Sequence, residues 1–383
     1  MENNLGSIHS SDDDKRCTLR FKLATSAQPQ GNTPLKRSYI NNLDGIRALA
    51  VLIVLDAHAG FGHIVPGGFG VTVFFFLSGF LITTLLIAEY EKHQTISLKK
   101  FFLRRFFRLF PPLFISLILA YGLVAVGLLG GEISAEGVFY QLFYLANYQQ
   151  IFGWGSSTPH GTGVLWSLAV EEHFYLLFPF LFWLMLNHLS KARIFLLLAA
   201  LCLLILGWRY YLVLVEQVSS IRTYYATDTR IDSILFGCLL ALRFNPLSID
   251  QDQSSIPARH WVMLGTAGAV LLLTLLYRDP VFRETLRYSL QGLALTPFFY
   301  CAVAYSRAPI FVWLEISALK KLGVYSYVIY LTHHVVISSL EHQNYGLQPA
   351  VTLLIAFLLS TAAAALVDRY VDGYFQRLRA RLH

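Results

Sequence analysis

Charge is what this sequence most lacks. Lys, Arg, Asp and Glu make up only 14% of its 383 residues, against 55% hydrophobic residues and a mean hydropathy of +0.53. A soluble globule with a charged, water-facing surface does not reach such values, so that class is excluded. Cysteine is scarce as well. Cys17, Cys202, Cys238 and Cys301 lie far apart with no CxxC spacing, which suggests neither a zinc site nor a disulfide framework. Three of the four sit in apolar runs, as small hydrophobes do. Residues 1–38 contain no apolar core and no cleavage site of a secretory signal. Their Ser, Asn, Gln and Pro content predicts a disordered cytoplasmic tail.

What the sequence does have is a series of apolar runs, each long enough to cross a bilayer at roughly 20 residues. About ten are expected, near 43–63, 69–89, 110–130, 164–187, 194–215, 231–244, 261–277, 288–305, 322–340 and 349–368. Lys and Arg cluster around Lys99, Lys100, Arg104, Arg105 and Arg108 and around Lys320 and Lys321, whereas the alternate loops keep few, Arg209 and Arg230 among them. The positive-inside rule then puts both termini in the cytoplasm. The expected fold is an all-α, polytopic transmembrane bundle: a membrane domain over 39–371 and a cytoplasmic C-terminal tail over 372–383. The apolar stretch 138–154 would invert every later loop if it crossed, and reads as a buried or re-entrant helix.

Several spans nevertheless carry ionisable groups, each costly in hydrocarbon. In "LDGIRALAVLIVLDAH" (43–58), Arg47 and His58 are eleven residues apart, about 1100° of helix, so Asp44, Arg47 and His58 share one face over about 16 Å of rise. Arg105 and Arg108 stand one turn apart before Pro111 and Pro112, which read as the start of the next span. Paired guanidinium forks suit phosphate, while taken alone a basic loop that sets topology or grips anionic lipid headgroups is the more ordinary reading. Glu171 and Glu172 lie side by side in an apolar helix, where at least one needs a polar cavity. Ser78 among glycines (67–84) suits close helix contact or a small cavity. Asp232 opens a span, and Ser326, Tyr330 and either His333 or His334 follow one helix face. Acid, base and arginine groups joining the two membrane surfaces fit a proton-coupled transporter or a membrane-embedded transferase.

Arg47 with His58 eleven residues on, Arg105-Phe-Phe-Arg108 before Pro-Pro, "FFFLSGFLIT", "WSLAVEEHFYLLFP", "RIDSILFG" and "SYVIYLTHH" together resemble the acyltransferase 3 family of integral-membrane acyltransferases. The resemblance spans about residues 38–370. It implies a multi-pass protein of the bacterial cytoplasmic (inner) membrane that transfers an acyl group, commonly acetyl from acetyl-CoA, to a hydroxyl. Implied acceptors are O-antigen, exopolysaccharide or other lipid-linked glycans, or alternatively a small molecule such as a macrolide. Carried onto this sequence, the resemblance has Arg47, Arg105 and Arg108 hold the phosphates of coenzyme A. His58 serves as general base or transient acyl carrier, and Glu172 or Glu171 positions it or the acceptor. Asp44, Ser78, Asp232, Tyr330 and His333 are secondary candidates. No metal is expected and no nucleic acid; membrane lipids surround the protein, and homo-oligomerisation is left open. Some members of the family carry a soluble esterase-like domain after the membrane core. None is expected here, so the acceptor would meet the membrane domain directly.

Overall fold

The structure, a computed structural model, describes residues 41–154, 158–248 and 254–375. The expected tail 1–38, and residues 376–383 of the expected C-terminal tail, lie outside these. The described chain is helical throughout: α1 (Asn41–Asp56), α2 (Gly67–His93), α3 (Leu98–Ala125), α4 (Ala135–Leu142), α5 (Ala146–Phe152), α6 (Leu165–His188), α7 (Lys191–Leu214), α8 (Ser220–Tyr225), α9 (Thr227–Arg243), α10 (Ala258–Leu276), α11 (Pro280–Glu284), α12 (Leu286–Ala304), α13 (Pro309–Val312), α14 (Ser317–His342) and α15 (Pro349–Val367). There is no β-strand among the described residues. The protein is a helical membrane bundle.

Hydrophobicity sorts the helices by position. Helices α2, α3, α6, α7, α10 and α15 are each long and apolar enough to cross a membrane. The outer ones turn large side chains outward, such as Leu203 and Leu204 on α7 or Val262 and Leu276 on α10, all about 70% exposed. In water such a surface would aggregate, whereas against lipid tails it costs nothing. Helices α1, α9, α12 and α14 are shorter or more polar, and their side chains are largely buried. They form the centre, where polar groups find protein partners. One example is Asn42 on α1, which donates to the Ala302 carbonyl of α12 (2.7 Å).

Stretch 138–154 does not cross. It breaks into α4 and α5, neither long enough to span, with Tyr144 between them at φ 57°. The Asn147 amide is buried and donates to the Tyr225 carbonyl (3.3 Å) and the Thr227 hydroxyl (3.2 Å), which anchors the stretch to the junction of α8 and α9.

Two expectations are corrected. Pro111 and Pro112 do not begin a helix; α3 starts at Leu98 and runs through both. Proline lacks an N–H, so the carbonyls of Phe107 and Arg108 lose their usual partners, and the neighbouring Leu109 carbonyl accepts from the Tyr327 hydroxyl (3.0 Å). Arg209 and Arg230 are not loop residues. Both are fully buried, Arg209 by pairing with Asp232 (2.7 Å) and Arg230 inside a ring of aromatic side chains.

Helices α2 and α9 approach very closely. A Cβ at Gly79 would lie 1.9 Å from the Ile234 carbonyl oxygen, and one at Gly237 would lie 1.9 Å from that of Phe76. Only glycine permits this crossing, which is how small residues bring helices together where lipid removes the hydrophobic drive.

Candidate active site

Beside that crossing lies a cavity of about 750 Å³ between α1, α2, α3, α6 and α14. The charged residues of its lining are Asp44, Arg47, Arg105, Arg108, Glu171 and Asp368. Arg47 is held by Asp44 through one guanidinium nitrogen (2.7 Å), which leaves most of its donors available. The Arg105 guanidinium carbon sits over the Tyr175 ring, 3.2 Å from the centroid, and the guanidinium is 3.7 Å from a Glu172 oxygen. The cation–π contact holds the fork in place beside the carboxylate. Arg105 and Arg108 line the same space from one face of α3, so the expected pairing on one helix turn is present.

The adjacent glutamates are placed differently. Glu171 lines the cavity and accepts from the Ser78 hydroxyl (2.8 Å) and from the Tyr175 hydroxyl (3.4 Å). Glu172, about 100° round the helix, stands beside Arg105 and is not part of the lining. Ser78 thus faces the cavity while its neighbour Gly79 faces α9, so close contact and cavity wall are provided by successive residues.

Farther along the cavity are Ser167 and Tyr330, whose hydroxyls lie 2.6 Å apart; that of Tyr330 donates to the Val164 carbonyl (3.0 Å). The Tyr330 ring is 5.7 Å from that of His333, and His333 Nε2 is 3.2 Å from His58 Nδ1. His58 itself is not in the cavity wall. It lies in a five-residue π-helical turn, Ala57–Phe61, that closes with Gly60 at φ 107°, a conformation costly for any other residue.

Hydrogen bonding dictates the tautomers. Carbonyl oxygens only accept, so the contacts of His333 Nδ1 with Tyr330 O (2.8 Å) and Ile329 O (3.1 Å) put a proton on that nitrogen. His333 Nε2 then offers a lone pair to His58. The proton on His58 Nδ1 is shared between that lone pair and the Val54 carbonyl (3.0 Å). His58 Nε2 is left with its own lone pair, and nothing among the described residues bonds it. An oriented imidazole with a free ring nitrogen is what a general base requires.

Asp232 is elsewhere. It is fully buried at the junction of α7, α9 and α12, where Arg209 bonds it and also reaches Thr229 O (2.6 Å), Thr285 O (3.0 Å) and Ser289 Oγ (2.6 Å). The pair clamps three helices, away from the cavity. Two further residues line the site but escaped the sequence reading, Tyr175 and Asp368; His334, the sequence alternative to His333, has its ring 4.4 Å from that of His58. Tyr175 had a signal, since it follows Glu171 by four residues and so shares its helix face.

Polytopic bundles with an arginine-lined cavity whose wall neighbours an oriented histidine pair are suited to moving a group between a charged donor and a second substrate inside the membrane. The family comparison names the class: residues 40–369 match the acyltransferase 3 family model, described as an acyltransferase domain, and the chain belongs to that family. Among curated relatives, the O-acetyltransferase OatA of Staphylococcus aureus is 29% identical over 346 residues, covering 87% of this chain and 57% of the relative. The peptidoglycan O-acetyltransferase OatA of Listeria monocytogenes is 30% identical over 328 residues, covering 80% of this chain and 50% of the relative. The chain therefore spans little more than half the length of these relatives. No solved structure matches it.

Proposed function

We propose that the protein is a membrane-embedded O-acyltransferase that moves an acyl group, acetyl by likeness to its relatives, from acetyl-CoA to a hydroxyl of a saccharide at the bacterial cytoplasmic membrane. The observation that carries this reading is that Tyr330, a residue of the arginine-lined cavity wall, has its ring 5.7 Å from that of His333, which in turn contacts His58. Arg47, Arg105 and Arg108 would hold the phosphates of coenzyme A, as planar forks do. These residues border the basic loops, which on the positive-inside rule face the cytoplasm, where the donor is made. Three carboxylates in the same lining, Asp44, Glu171 and Asp368, keep the empty cavity from being a bare cationic hole.

In the transfer step, His58 Nε2 takes the proton of the acceptor hydroxyl as its oxygen attacks the thioester carbonyl carbon. The C–O bond forms, the C–S bond breaks, and the departing coenzyme A thiolate recovers a proton from the imidazolium. His333 holds His58 in the productive tautomer and shares the charge that develops on it. Ser78 and Tyr175 fix Glu171, which positions the donor arm; its place in the cavity wall favours it over Glu172.

The test uses purified protein in nanodiscs with radiolabelled acetyl-CoA and cell-envelope glycolipid as acceptor. Wild type is expected to release coenzyme A and label the glycolipid, and His58→Ala to lose about 10²- to 10⁴-fold of that rate, the usual worth of a general base. Undiminished transfer by His58→Ala removes the base from His58. A folded wild type that neither binds coenzyme A nor transfers label overturns the whole reading and favours a transporter.

A further inference from the structure

A second cavity, of about 380 Å³, lies at the opposite end of the bundle from Arg47 and Arg105. Its walls combine Tyr224, Tyr225 and Tyr288 with Arg278, Arg283 and Arg287. The single carboxylate in the lining, Glu284, already accepts from the Thr223 hydroxyl. None of the three arginines makes an ion pair among the described residues. The lining thus carries a net positive charge.

Buried charge behind the wall reinforces it. The guanidinium of Arg230 is wholly buried, 4.0 Å from the Tyr288 ring centroid and 5.2 Å from that of Tyr224. Its hydrogen bonds go to the Tyr224 carbonyl and the Thr72 hydroxyl, and it has no carboxylate ion pair among the described residues. A cation fixed there by aromatic faces rigidifies both tyrosines and adds positive potential behind them. Burying it with neutral partners only is expensive, a cost that an anion arriving in the cavity would offset.

The cavity wall is continuous along the chain with the histidine turn. Gly62, which directly follows the turn Ala57–Phe61 that carries His58, and residues 66–69 at the start of α2 form part of it. Tyrosine rings offer flat apolar faces with polar edges, matching the mixed C–H and O–H surface of a sugar, while arginine forks match a carboxylate or phosphate.

We propose that this outer cavity binds the acidic group, carboxylate or phosphate, of a saccharide acceptor and so presents a neighbouring hydroxyl to His58. The proposal rests on the transferase reading for the word acceptor; the binding itself is tested without any transfer.

The experiment measures binding by calorimetry to the full chain in nanodiscs of zwitterionic lipid, with two matched pairs of probes: cellobiuronic acid against cellobiose, and glucose 1-phosphate against glucose. At least one acidic member is expected to bind about 10-fold or more tightly than its neutral partner, the worth of one charge-assisted hydrogen bond. In Arg283→Gln/Arg287→Gln that preference should vanish, with folding checked by thermal unfolding. No preference in wild type overturns the proposal without recourse to any variant, and so does a preference that survives in a folded double variant. A third arm adds phosphatidylglycerol to the nanodiscs. Arginine-dependent retention of that lipid, with no acidic sugar bound, makes the cavity a headgroup site and also overturns the proposal. Acid preference without any acyl transfer keeps the cavity assignment and sinks the transferase reading.

Discussion

Replacing Gly79 by alanine tests whether packing and chemistry are joined at the α2–α9 crossing. The new Cβ would meet the Ile234 carbonyl oxygen at 1.9 Å, about 1.5 Å short of the 3.4 Å at which ordinary contact begins. The obstacle is backbone, so no rotamer change relieves it, and α2 and α9 must separate. Overpacking of this kind costs about 1–3 kcal/mol. Ser78 is the preceding residue, and its hydrogen bond to Glu171 is 2.8 Å long; half of the required shift stretches it beyond the ~3.5 Å at which such a bond is lost. Misplacement of a site group by about 1 Å costs about 100-fold in rate. Gly79→Ala is therefore expected to unfold at lower temperature in detergent and to transfer acyl groups about 100-fold more slowly. Gly207→Ala serves as the control, because a Cβ there meets nothing within 4 Å. Wild-type melting and wild-type transfer in Gly79→Ala would refute both the close crossing and its link to the site. Lost stability with normal transfer would refute the link alone.

Other perturbations separate the remaining roles. Arg105→Ala with Arg108→Ala should weaken coenzyme A binding by about 100-fold, from two lost charge-assisted contacts of about 1.5 kcal/mol or more each; calorimetry showing unchanged affinity would leave these arginines to topology. Asp232→Ala strands the Arg209 charge in a wholly buried site and should cost about 3–5 kcal/mol. Asp232→Leu/Arg209→Met should recover part of that loss, and thermal unfolding of the single and double variants distinguishes a clamp from an incidental pair. Glu171→Gln should slow transfer more than Glu172→Gln, since only Glu171 lines the cavity; the reverse order in parallel label-transfer assays would return the role to Glu172. His333→Ala should reduce the turnover number more than it raises the acceptor KM, because it removes one of the two partners of His58 Nδ1 and no part of the cavity wall; a pure KM effect would contradict the orienting role.

The sequence by itself determined the class of fold and most of the ingredients of the site. Apolar run length is a local property imposed by the bilayer, so the long helices could be located before any packing was known, and a proton-bearing or charged group inside such a run is conspicuous because hydrocarbon penalises it. Arg47, Arg105 and Arg108 share one cavity because helix periodicity already placed each on a definite face. Tertiary structure decided what periodicity leaves open. Which of two adjacent carboxylates faces the cavity depends on how far α6 is rotated against α2 and α3, and only packing sets that rotation. His58 lies past the point where α1 gives way to a π-helical turn, so its orientation follows from His333 and Val54 rather than from an unbroken stripe. In the sequence Arg209 and Arg230 read as loop charges and Asp232 as the opening of a span, because a single sequence does not display the partners that make burial possible. Those partners, Asp232 for Arg209 and the aromatic faces of Tyr224 and Tyr288 for Arg230, come from distant helices brought together only in the folded bundle.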